Sequence, residues 1–449
     1  MLRPTPLVLA FLATLAGCNS YEMFRVAGYE QATFANDADI LFLVDNSPSM
    51  FNEAAALGLN FGEFVENLVD PTSGSGMASD GLADAVDNYI IYVGQRGRFL
   101  DYQLAVTTTS ADPENEVIDP GEAGTLVGTP SVISESTTQD VILSFSQAVM
   151  CNATCWPGPC VGSIKDNCIP YDPTYVCGED PQGLISWEYL SCVCGSGWTP
   201  PENCGSGLEE GLEAARMALC RAVPNPPEGC YTTPTGFETS FEGSNAGLVR
   251  ENSTIIVVIV TDEGDSSRLL RTGDEDPAPY LDIFDQFDNA ITFAVVGPAF
   301  DVESGDFNCN SGNATPVGTK RYIRVVEETG GFYAPIEQQM GGECVTTPFS
   351  NHLNTLGELL NSLLNAFQLQ SIPDVDTILV FVDGVQIERS ACVDHCEAEA
   401  VADPVWGDGW TYLPSQNAIV FHGESVPDYN ADVRIYYQPV SELPRSLPF

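Results

Sequence analysis

The chain has few positively charged residues and very few histidines for its length. Its 449 residues include 16 Lys and Arg and 3 His against 63 Asp and Glu, which gives a formal net charge of −47. A surface of this charge repels nucleic acid and anionic membranes, so neither is an expected partner. Because 44% of the residues are hydrophobic, the acidity indicates folded domains with a highly charged surface and does not indicate disorder.

Beyond its N-terminal region, the sequence has no apolar stretch long enough to cross a membrane as a helix. The N-terminal region has Arg3, a short apolar run and then L-A-G-C ending at Cys18, which is typical of a signal peptide. This tetrapeptide resembles the lipobox of bacterial lipoproteins, in which cleavage precedes a cysteine that carries lipid. The resemblance implies a lipid anchor at Cys18 in the bacterial cell envelope, and Asn19 favours the outer membrane. The alternative is a signal peptide cleaved elsewhere.

No C-x-x-C pair occurs, although the chain has 15 cysteines. Zinc sites commonly use that spacing, so a zinc-binding domain is not expected. The alternative rests on His395, which lies inside the sequence Cys-Val-Asp-His-Cys and is close to two cysteines.

Apart from Cys18, the cysteines number 14, an even count that predicts a disulfide framework in an exported chain. Ten of them lie between Cys151 and Cys230, and their pairing is not deducible from the sequence. Outside that region, the predicted disulfides are Cys309–Cys344 and Cys392–Cys396.

A short apolar run, Ile40 to Val44, has the pattern of a strand that is buried on both faces of a parallel sheet. Oxygen-bearing side chains follow at alternate positions, namely Asp45, Ser47 and Ser49. A carboxylate and two hydroxyls on such a turn suit a hard divalent cation. The alternative is an ordinary polar turn, since Ser and Asp are common turn residues.

This Asp-x-Ser-x-Ser sequence after a hydrophobic strand resembles the metal-ion-dependent adhesion site of von Willebrand factor type A (VWA) domains. The resemblance implies an α/β, Rossmann-like fold with a mostly parallel central sheet flanked by helices. It also implies a bound divalent cation, for which we expect Mg²⁺, with Ca²⁺ or Mn²⁺ as alternatives.

A second buried strand is predicted at Ile255 to Val260, and Thr261-Asp262-Glu263-Gly264-Asp265 follows it. The segment resembles the third metal loop of VWA domains, in which Asp262 would complete the site. Glu263 departs from the usual Thr-Asp-Gly sequence of the family. Additional carboxylates at Glu263 and Asp265 would shift the preference towards Ca²⁺, which tolerates more oxygen ligands.

The second metal loop of the family places a hydroxyl just before an alanine-rich helix, and Ser206 matches that position. We therefore predict Ser206 as a metal ligand, with Thr107, Thr108 and Thr109 at the end of a strand as the next candidates. The alternative is a capping box, in which Ser206 and Glu209 cap the helix that the sequence predicts from Ser206 to Cys220.

The remaining pattern predicts alternating helices and strands and a change of class near residue 371. A last helix is predicted from His352 to Phe367, and the short strands after it indicate a small all-β domain. The predicted domains are a signal peptide over 1–17, a tether over 18–36, a VWA domain over 37–370 with a cysteine-rich insertion over 151–204, and a β domain over 372–449.

The resemblance implies a non-catalytic envelope protein whose metal binds an Asp or Glu carboxylate of a protein partner. One alternative is a structural lipoprotein in which the metal only stabilises loops. The other is a metal-dependent hydrolase. No G-x-S-x-G sequence occurs and the three histidines lie far from the metal loops in the sequence, so an enzyme is not expected.

Overall fold

The computed structural model describes a large part of the chain, in several segments. These are residues 30–32, 37–69, 101–111, 122–134, 136–160, 168–178, 185–200, 205, 208–232, 237–251, 253–270, 273–302, 304–310, 314–353, 355–356, 366–369, 373–394, 405–414, 418–425, 427, 431 and 433–438. Cys18, Ser206, His395 and Cys396 lie outside the described residues.

The strands and helices are numbered here along the chain. The strands are β1 Glu30–Ala32, β2 Asp37–Val44, β3 Asp101–Thr108, β4 Val127–Ile133, β5 Thr254–Val260, β6 Ile291–Gly297, β7 Ala299–Asp301, β8 Asp306–Cys309, β9 Tyr333–Pro335, β10 Glu337–Met340, β11 Glu343–Thr346, β12 Ala366–Gln368, β13 Leu379–Val382, β14 Val385–Ile387, β15 Cys392–Asp394, β16 Val405–Trp406, β17 Gly409–Leu413, β18 Ala418–His422 and β19 Val433–Tyr437. The α-helices are α1 Phe51–Val69, α2 Val141–Gln147, α3 Trp187–Val193, α4 Gly211–Ala222, α5 Ala278–Phe284 and α6 Pro316–Thr329. Shorter helical turns are Glu122–Gly124, Ala148–Asn152, Glu228–Tyr231, Thr239–Phe241, Val375–Thr377 and Gly423–Ser425.

The central sheet has the strand order β4-β3-β2-β5-β6-β9. Its neighbouring strands run parallel from β3 to β9, and only β4 is antiparallel, at one edge. The predicted α/β class with a mostly parallel sheet is therefore confirmed. The sequence did not predict β4, because Gly128 and Pro130 interrupt its strand pattern. Proline is tolerated mainly in edge strands, and β4 is an edge strand.

Helices cover both faces of this sheet, which explains why β2 is apolar at successive positions. Ile40, Phe42 and Val44 belong to a core cluster with residues of α1 and α2. Leu41 and Leu43 point to the opposite face and belong to a second cluster with residues of α4, α5 and α6. Both sets of side chains are fully buried. The strand therefore contributes to two cores and its carboxyl end is held rigidly.

The predicted disulfide Cys309–Cys344 is confirmed. Cys392 is also disulfide-bonded, but its predicted partner Cys396 lies outside the described residues. The pairs that the sequence did not resolve include Cys151–Cys194, Cys160–Cys168, Cys177–Cys192 and Cys220–Cys230. Five disulfides among the described residues indicate an exported protein in an oxidising compartment.

No helix among the described residues is both long enough and apolar enough to cross a membrane.

Two predicted helices have different bounds in the structure. The helix expected from Ser206 begins at Gly211 instead, so the capping-box alternative for Ser206 and Glu209 is wrong. The second helix was expected from His352 to Phe367. Among the described residues, helix is present at 349–353 and 355–356. Ala366–Gln368 instead forms strand β12, which pairs with β18. Phe367 therefore packs in the C-terminal β region, where its ring lies 5.0 Å from that of Phe421.

The C-terminal strands form small sheets with the orders β1-β19-β13-β14, β12-β18-β17 and β15-β16. They share one hydrophobic cluster that includes Val380, Trp410 and Ile435. Strand β1, within the predicted tether, pairs antiparallel with β19 through Glu30–Ala32. The C-terminal β region therefore includes backbone from both sides of the central sheet domain in sequence.

Candidate metal centre

Two of the predicted metal loops, those after β2 and β5, begin side by side because their strands are neighbours and end in register. Val44, the last residue of β2, is in register with Val260, the last residue of β5. The backbone N–H of Asp45 donates to the carbonyl oxygen of Val260 at 2.9 Å. The hydroxyl of Thr261 donates to Asp45 Oδ2 at 2.6 Å. The parallel register therefore brings together residues that are more than two hundred positions apart in the sequence.

The predicted hydroxyl ligands lie next to these carboxylates. The backbone N–H of Ser47 donates to Asp45 Oδ1 at 2.8 Å, which fixes the turn after β2. The Oγ atoms of Ser47 and Ser49 are 3.0 Å apart. Ser49 Oγ donates to Asp262 Oδ1 at 3.3 Å. Asp45, Ser47, Ser49 and Asp262 thus form one continuous cluster of oxygen atoms at the carboxyl end of the sheet.

The segment that precedes Ser206 also reaches this cluster. The backbone N–H of Gly205 donates to the carbonyl oxygen of Asn46 at 3.2 Å. A Cβ atom at position 205 would lie 2.3 Å from Asn46 Oδ1 and 2.5 Å from Ser110 Oγ, so a side chain there would collide with both. The close approach requires glycine. Gly205 therefore brings the chain back to the loop after β2, although Ser206 itself is outside the described residues.

The end of β3 supplies another buried hydroxyl. Thr108 is fully buried, and its Oγ1 has no hydrogen-bond partner among the described atoms. Thr107, another of the predicted alternatives to Ser206, instead donates to the carbonyl oxygen of Thr125 at 2.8 Å. Thr108 is thus the better placed of these two threonines to accept a new partner.

The two aspartates of the cluster are nearly excluded from water, with 1% of Asp45 and 5% of Asp262 exposed. Burial raises the pKa of Asp45 to about 6, against the hydrogen bonds from Thr261 and Ser47, which lower it. Burial and the neighbouring charge of Asp45 raise the pKa of Asp262 to about 7. In both residues the site disfavours the charged form, and a bound cation would reverse that balance.

Two acidic residues at the site were missed by the sequence reasoning. Glu209 is 2% exposed and its Oε2 has no hydrogen-bond partner. Glu53, in the first turn of α1, accepts a hydrogen bond from Thr346 at 2.7 Å through Oε1, while its Oε2 is also buried without a partner. The charge of Glu53 is one of the smaller causes that raise the pKa of Asp262. Glu209 could not be recognised, because its sequence matches a helix-capping pattern equally well.

Asp265, which the sequence assigned to this loop as an additional carboxylate, interacts elsewhere. Its Oδ1 accepts from the backbone N–H of Leu212 at 3.2 Å and from Ser267 Oγ at 2.6 Å. Its Oδ2 pairs with Arg321 of α6 at 3.4 Å. Asp265 therefore ties the loop after β5 to α4 and α6. Glu263 is the half-buried carboxylate that remains beside the cluster.

The chemistry of the cluster fits a hard cation. It contains serine hydroxyls and carboxylates, which are oxygen ligands. Outside the four residues of the cluster, Thr108 Oγ1 is a buried oxygen without a hydrogen-bond partner among the described atoms. Among the described residues, no Lys or Arg forms an ion pair with Asp45, Asp262, Glu209 or Glu53. Buried carboxylates are costly unless a positive group compensates them.

Within the described part of the chain, no group of three or more His, Cys, Asp or Glu is arranged to hold a metal ion. The predicted ligand set differs from such a group, because two of its described members are serines. Its fit to a cation therefore rests on hydroxyls together with two aspartates.

No protein-family model matches the chain, and no curated protein matches it. Among solved structures, the chain is similar to the pilus adhesin RrgA from Streptococcus pneumoniae, with 9% sequence identity and a TM-score of 0.26. The similarity covers 91% of this chain, which spans 58% of the length of that adhesin.

Proposed function

We propose that the cluster at the carboxyl ends of β2 and β5 binds a divalent cation, and that the protein is a non-catalytic VWA-type binding protein of the cell envelope. The observation that carries the proposal is a set of side-chain contacts between the two loops. Thr261, which directly precedes Asp262, donates a hydrogen bond to Asp45. Ser49 contacts Ser47 and donates a hydrogen bond to Asp262. These residues come from two distant parts of the sequence and match the first and third metal loops of the family.

Ser47, Ser49 and Ser206 would hold the cation directly, and Asp45 and Asp262 would lie beside it, partly through water. Hydroxyls are neutral ligands, so the ion keeps much of its positive charge and attracts a further anionic ligand. In the proposed function this ligand is an Asp or Glu carboxylate of a protein partner. The chain's own residues orient the ion: Thr261 holds Asp45, and the backbone N–H of Ser47 fixes the turn.

The proposed location is the bacterial cell envelope, with the outer membrane favoured and with lipid on Cys18. The disulfides support export to an oxidising compartment. The L-A-G-C sequence supports lipid attachment, and mass spectrometry of the N-terminal peptide from membranes would test it directly. A peptide that begins before Cys18, or one without acyl chains, would contradict the lipid anchor.

The cation is tested by calorimetric titration of the metal-stripped chain that follows Cys18 with Mg²⁺, Ca²⁺ and Mn²⁺. We expect one site in the unmodified chain and a loss of affinity of at least about 100-fold in Asp45→Ala and in Asp262→Ala. Asp140→Ala is the matched control, since Asp140 is an exposed helix cap of α2 and its loss leaves ion binding unchanged. Binding that survives both changes at the cluster would contradict the proposal.

Recognition of a carboxylate is tested with Mn²⁺ as the bound ion. A manganese ion with an exchangeable water increases the relaxation rate of solvent protons, and displacement of that water lowers the rate. We expect an Asp-containing peptide to lower it and the matching Asn-containing peptide to leave it unchanged. Equal behaviour of the two peptides would favour the alternative in which the ion only stabilises the loops.

A further inference from the structure

The cysteine-rich insertion carries three aromatic rings that lie side by side. The ring centroid of Trp187 is 6.4 Å from that of Tyr171 and 6.0 Å from that of Trp198. Trp187 and Trp198 are half-buried and pack against the core cluster that contains Phe42. Tyr171 is 51% exposed. These three residues, called the aromatic surface below, therefore combine support from the core with access to solvent.

The aromatic surface is held in place before any partner binds. The backbone N–H of Trp187 donates to the carbonyl oxygen of Pro170, which directly precedes the tyrosine, at 2.9 Å. The indole N–H of Trp198 donates to the carbonyl oxygen of Cys151 at 3.2 Å. Cys151 is in turn disulfide-bonded to Cys194. Groups that are already fixed lose little conformational entropy on binding, so the surface is preorganised for a partner.

The aromatic surface has acidic neighbours. The tyrosine and the first tryptophan are each followed directly by an acid, Asp172 and Glu188. Glu188 Oε2 accepts from the backbone N–H of Asp172 at 2.7 Å, so the two residues lie together. Hydrogen bonds from Thr174 lower the pKa of Asp172, which is therefore charged at neutral pH. Among the described residues, no Lys or Arg forms an ion pair with either acid.

The insertion as a whole has the same sign of charge. Residues 151–204 contain six acids and one basic residue, which gives a formal charge of −5; they are Asp166, Asp172, Glu179, Asp180, Glu188 and Glu202 with Lys165. The faces of aromatic rings attract cations, and arginine makes this contact more often than lysine. A guanidinium group also stacks on a ring and forms paired hydrogen bonds with a carboxylate. Rings and carboxylates in one place therefore suit arginine, and the charge disfavours an anionic ligand.

We propose that the aromatic surface binds an arginine-bearing segment of a partner protein, with guanidinium groups over its rings and in contact with Asp172 or Glu188. It would be a second binding site that does not depend on the proposed cation. The inference also gives the cysteine-rich insertion a function, since its disulfides hold the rings and the acids in position. A neutral oligosaccharide, which does not respond to these charges, is the competing occupant in the test.

The test measures the binding of a fluorescein-labelled hexa-arginine peptide to the chain after Cys18 by fluorescence anisotropy. EDTA removes divalent cations, so the result is independent of the proposed function. Salt at about 150 mM screens the long-range attraction between any cationic peptide and a chain of charge −47. We expect Tyr171→Ala to weaken binding about threefold and Trp187→Leu about tenfold, because tryptophan is the better ring for a cation. Hexa-lysine should bind the unmodified chain more weakly, because an ammonium group does not stack.

Tyr231→Ala is the matched control for the exposed tyrosine. Tyr231 is 37% exposed, and its ring centroid is 5.4 Å from that of Phe237. That group of rings already has a cation of its own, since the guanidinium carbon of Arg221 lies 4.0 Å from the ring centroid of Phe241. The variant should therefore change the affinity for hexa-arginine by less than about twofold.

A second pair of variants tests the acids. Glu188→Gln removes one negative charge beside the rings and should weaken binding about threefold, as expected for a half-exposed ion pair. Glu238→Gln removes the same charge from an exposed position elsewhere and should change binding by less than about twofold. Circular dichroism checks that Trp187→Leu is folded. If it is not, the exposed position Tyr171 decides the result.

The outcomes are distinct. Equal binding of hexa-arginine to the unmodified chain and to all variants would overturn the inference, because the peptide would then respond only to the overall charge. Absence of binding would overturn it as well. So would binding of cellohexaose that is lost in Tyr171→Ala while binding of hexa-arginine is not. Weaker binding in the variants of the aromatic surface and unchanged binding in the two controls supports the inference. The cation site is judged by its own titration, so either proposal can fail alone.

Discussion

Thr261 and Asp45 are joined by a hydrogen bond of 2.6 Å although 216 positions separate them in the chain. Thr261 is fully buried at the end of β5, and Asp45 is the first residue after β2. The same hydroxyl accepts from the backbone N–H of Glu263 at 3.0 Å. One threonine therefore fixes the orientation of Asp45 and the path of the loop that carries Asp262.

Thr261→Val should weaken cation binding by about tenfold, because Asp45 loses the group that orients it. The loss of a buried hydrogen bond should also lower the free energy of unfolding by about 1–2 kcal/mol. Calorimetric titration and denaturant unfolding measure the two effects. Thr329→Val is the control: Thr329 makes hydrogen bonds at the end of α6, to Val325 and Phe293, and its replacement should leave the ion affinity unchanged. Equal ion affinity in the two variants would contradict this role of Thr261.

Asp39→Ala should lower the free energy of unfolding but leave the cation affinity of the folded protein unchanged. Asp39 is fully buried near the start of β2, and it accepts from Arg250 Nε at 2.7 Å and from Gln103 at 3.0 Å. Breaking such a pair typically costs about 3–5 kcal/mol. The residue lies six positions from Asp45 along an extended strand, roughly 20 Å away. Urea unfolding gives the stability.

The control for Asp39 is Asp140→Ala, which removes an exposed cap and should cost about 1 kcal/mol. If Asp39→Ala instead weakened cation binding as strongly as Asp45→Ala, the two ends of β2 would be energetically coupled, and this prediction would be wrong.

His352 should make the protein less stable in mild acid. Burial lowers the pKa of His352 to about 4, from an ordinary value of 6.5. Between these two values the unfolded chain binds a proton that the folded chain does not, so the stability falls as the pH decreases from 6.5 towards 4. Between pH 6.5 and pH 4 the free energy of unfolding should fall by about 2 kcal/mol because of His352, and His352→Leu should remove this decrease.

Urea unfolding at several pH values, with salt held constant, measures this dependence. Leu353→Ala, at a buried neighbouring position, carries no titrating group and should lower the stability equally at each pH. A constant difference between His352→Leu and the unmodified chain across the interval would show that the histidine does not titrate as described.

Phe367→Ala should loosen the C-terminal β region and leave the central sheet intact. Phe367 is buried in the cluster that contains Phe421 and Trp410. Removal of a buried phenylalanine costs about 3–5 kcal/mol. Hydrogen exchange followed by mass spectrometry should show faster exchange in β17 and β18. Leu356→Ala is the opposite control, because Leu356 belongs to the core of the central domain. Faster exchange in β2 and β5 after Phe367→Ala would instead support the continuous helix that the sequence predicts.

The central strands were predictable because burial on both faces leaves an uninterrupted apolar run. Ile40 to Val44 and Ile255 to Val260 each show that run, and a polar loop follows each of them. The meeting of their loops was also predictable, because parallel neighbours end at the same edge of a sheet. Asp45, Ser47, Ser49 and Asp262 lie together as a consequence of that topology.

Other features depend on contacts that are distant in the sequence. Glu209 follows a disulfide-bonded insertion whose path the sequence does not give, so the burial of its side chain could not be foreseen. Phe367 continues the helical spacing of the leucines before it, and a short apolar run does not distinguish a helix end from a strand. Asp265 belongs to the predicted third metal loop, but Arg321, 56 positions away on α6, pairs with its carboxylate.

The pairing of β1 with β19 has a mechanical consequence. Strand β1 precedes β2 by only a few residues, and β2 ends at Asp45. A pull on the N-terminal side of the chain therefore meets the hydrogen bonds between Glu30–Ala32 and β19 before it reaches β2. The C-terminal sheet would therefore bear the tension first. Force applied on the N-terminal side of β1 would have to break the β1–β19 hydrogen bonds before it could distort the loop at Asp45.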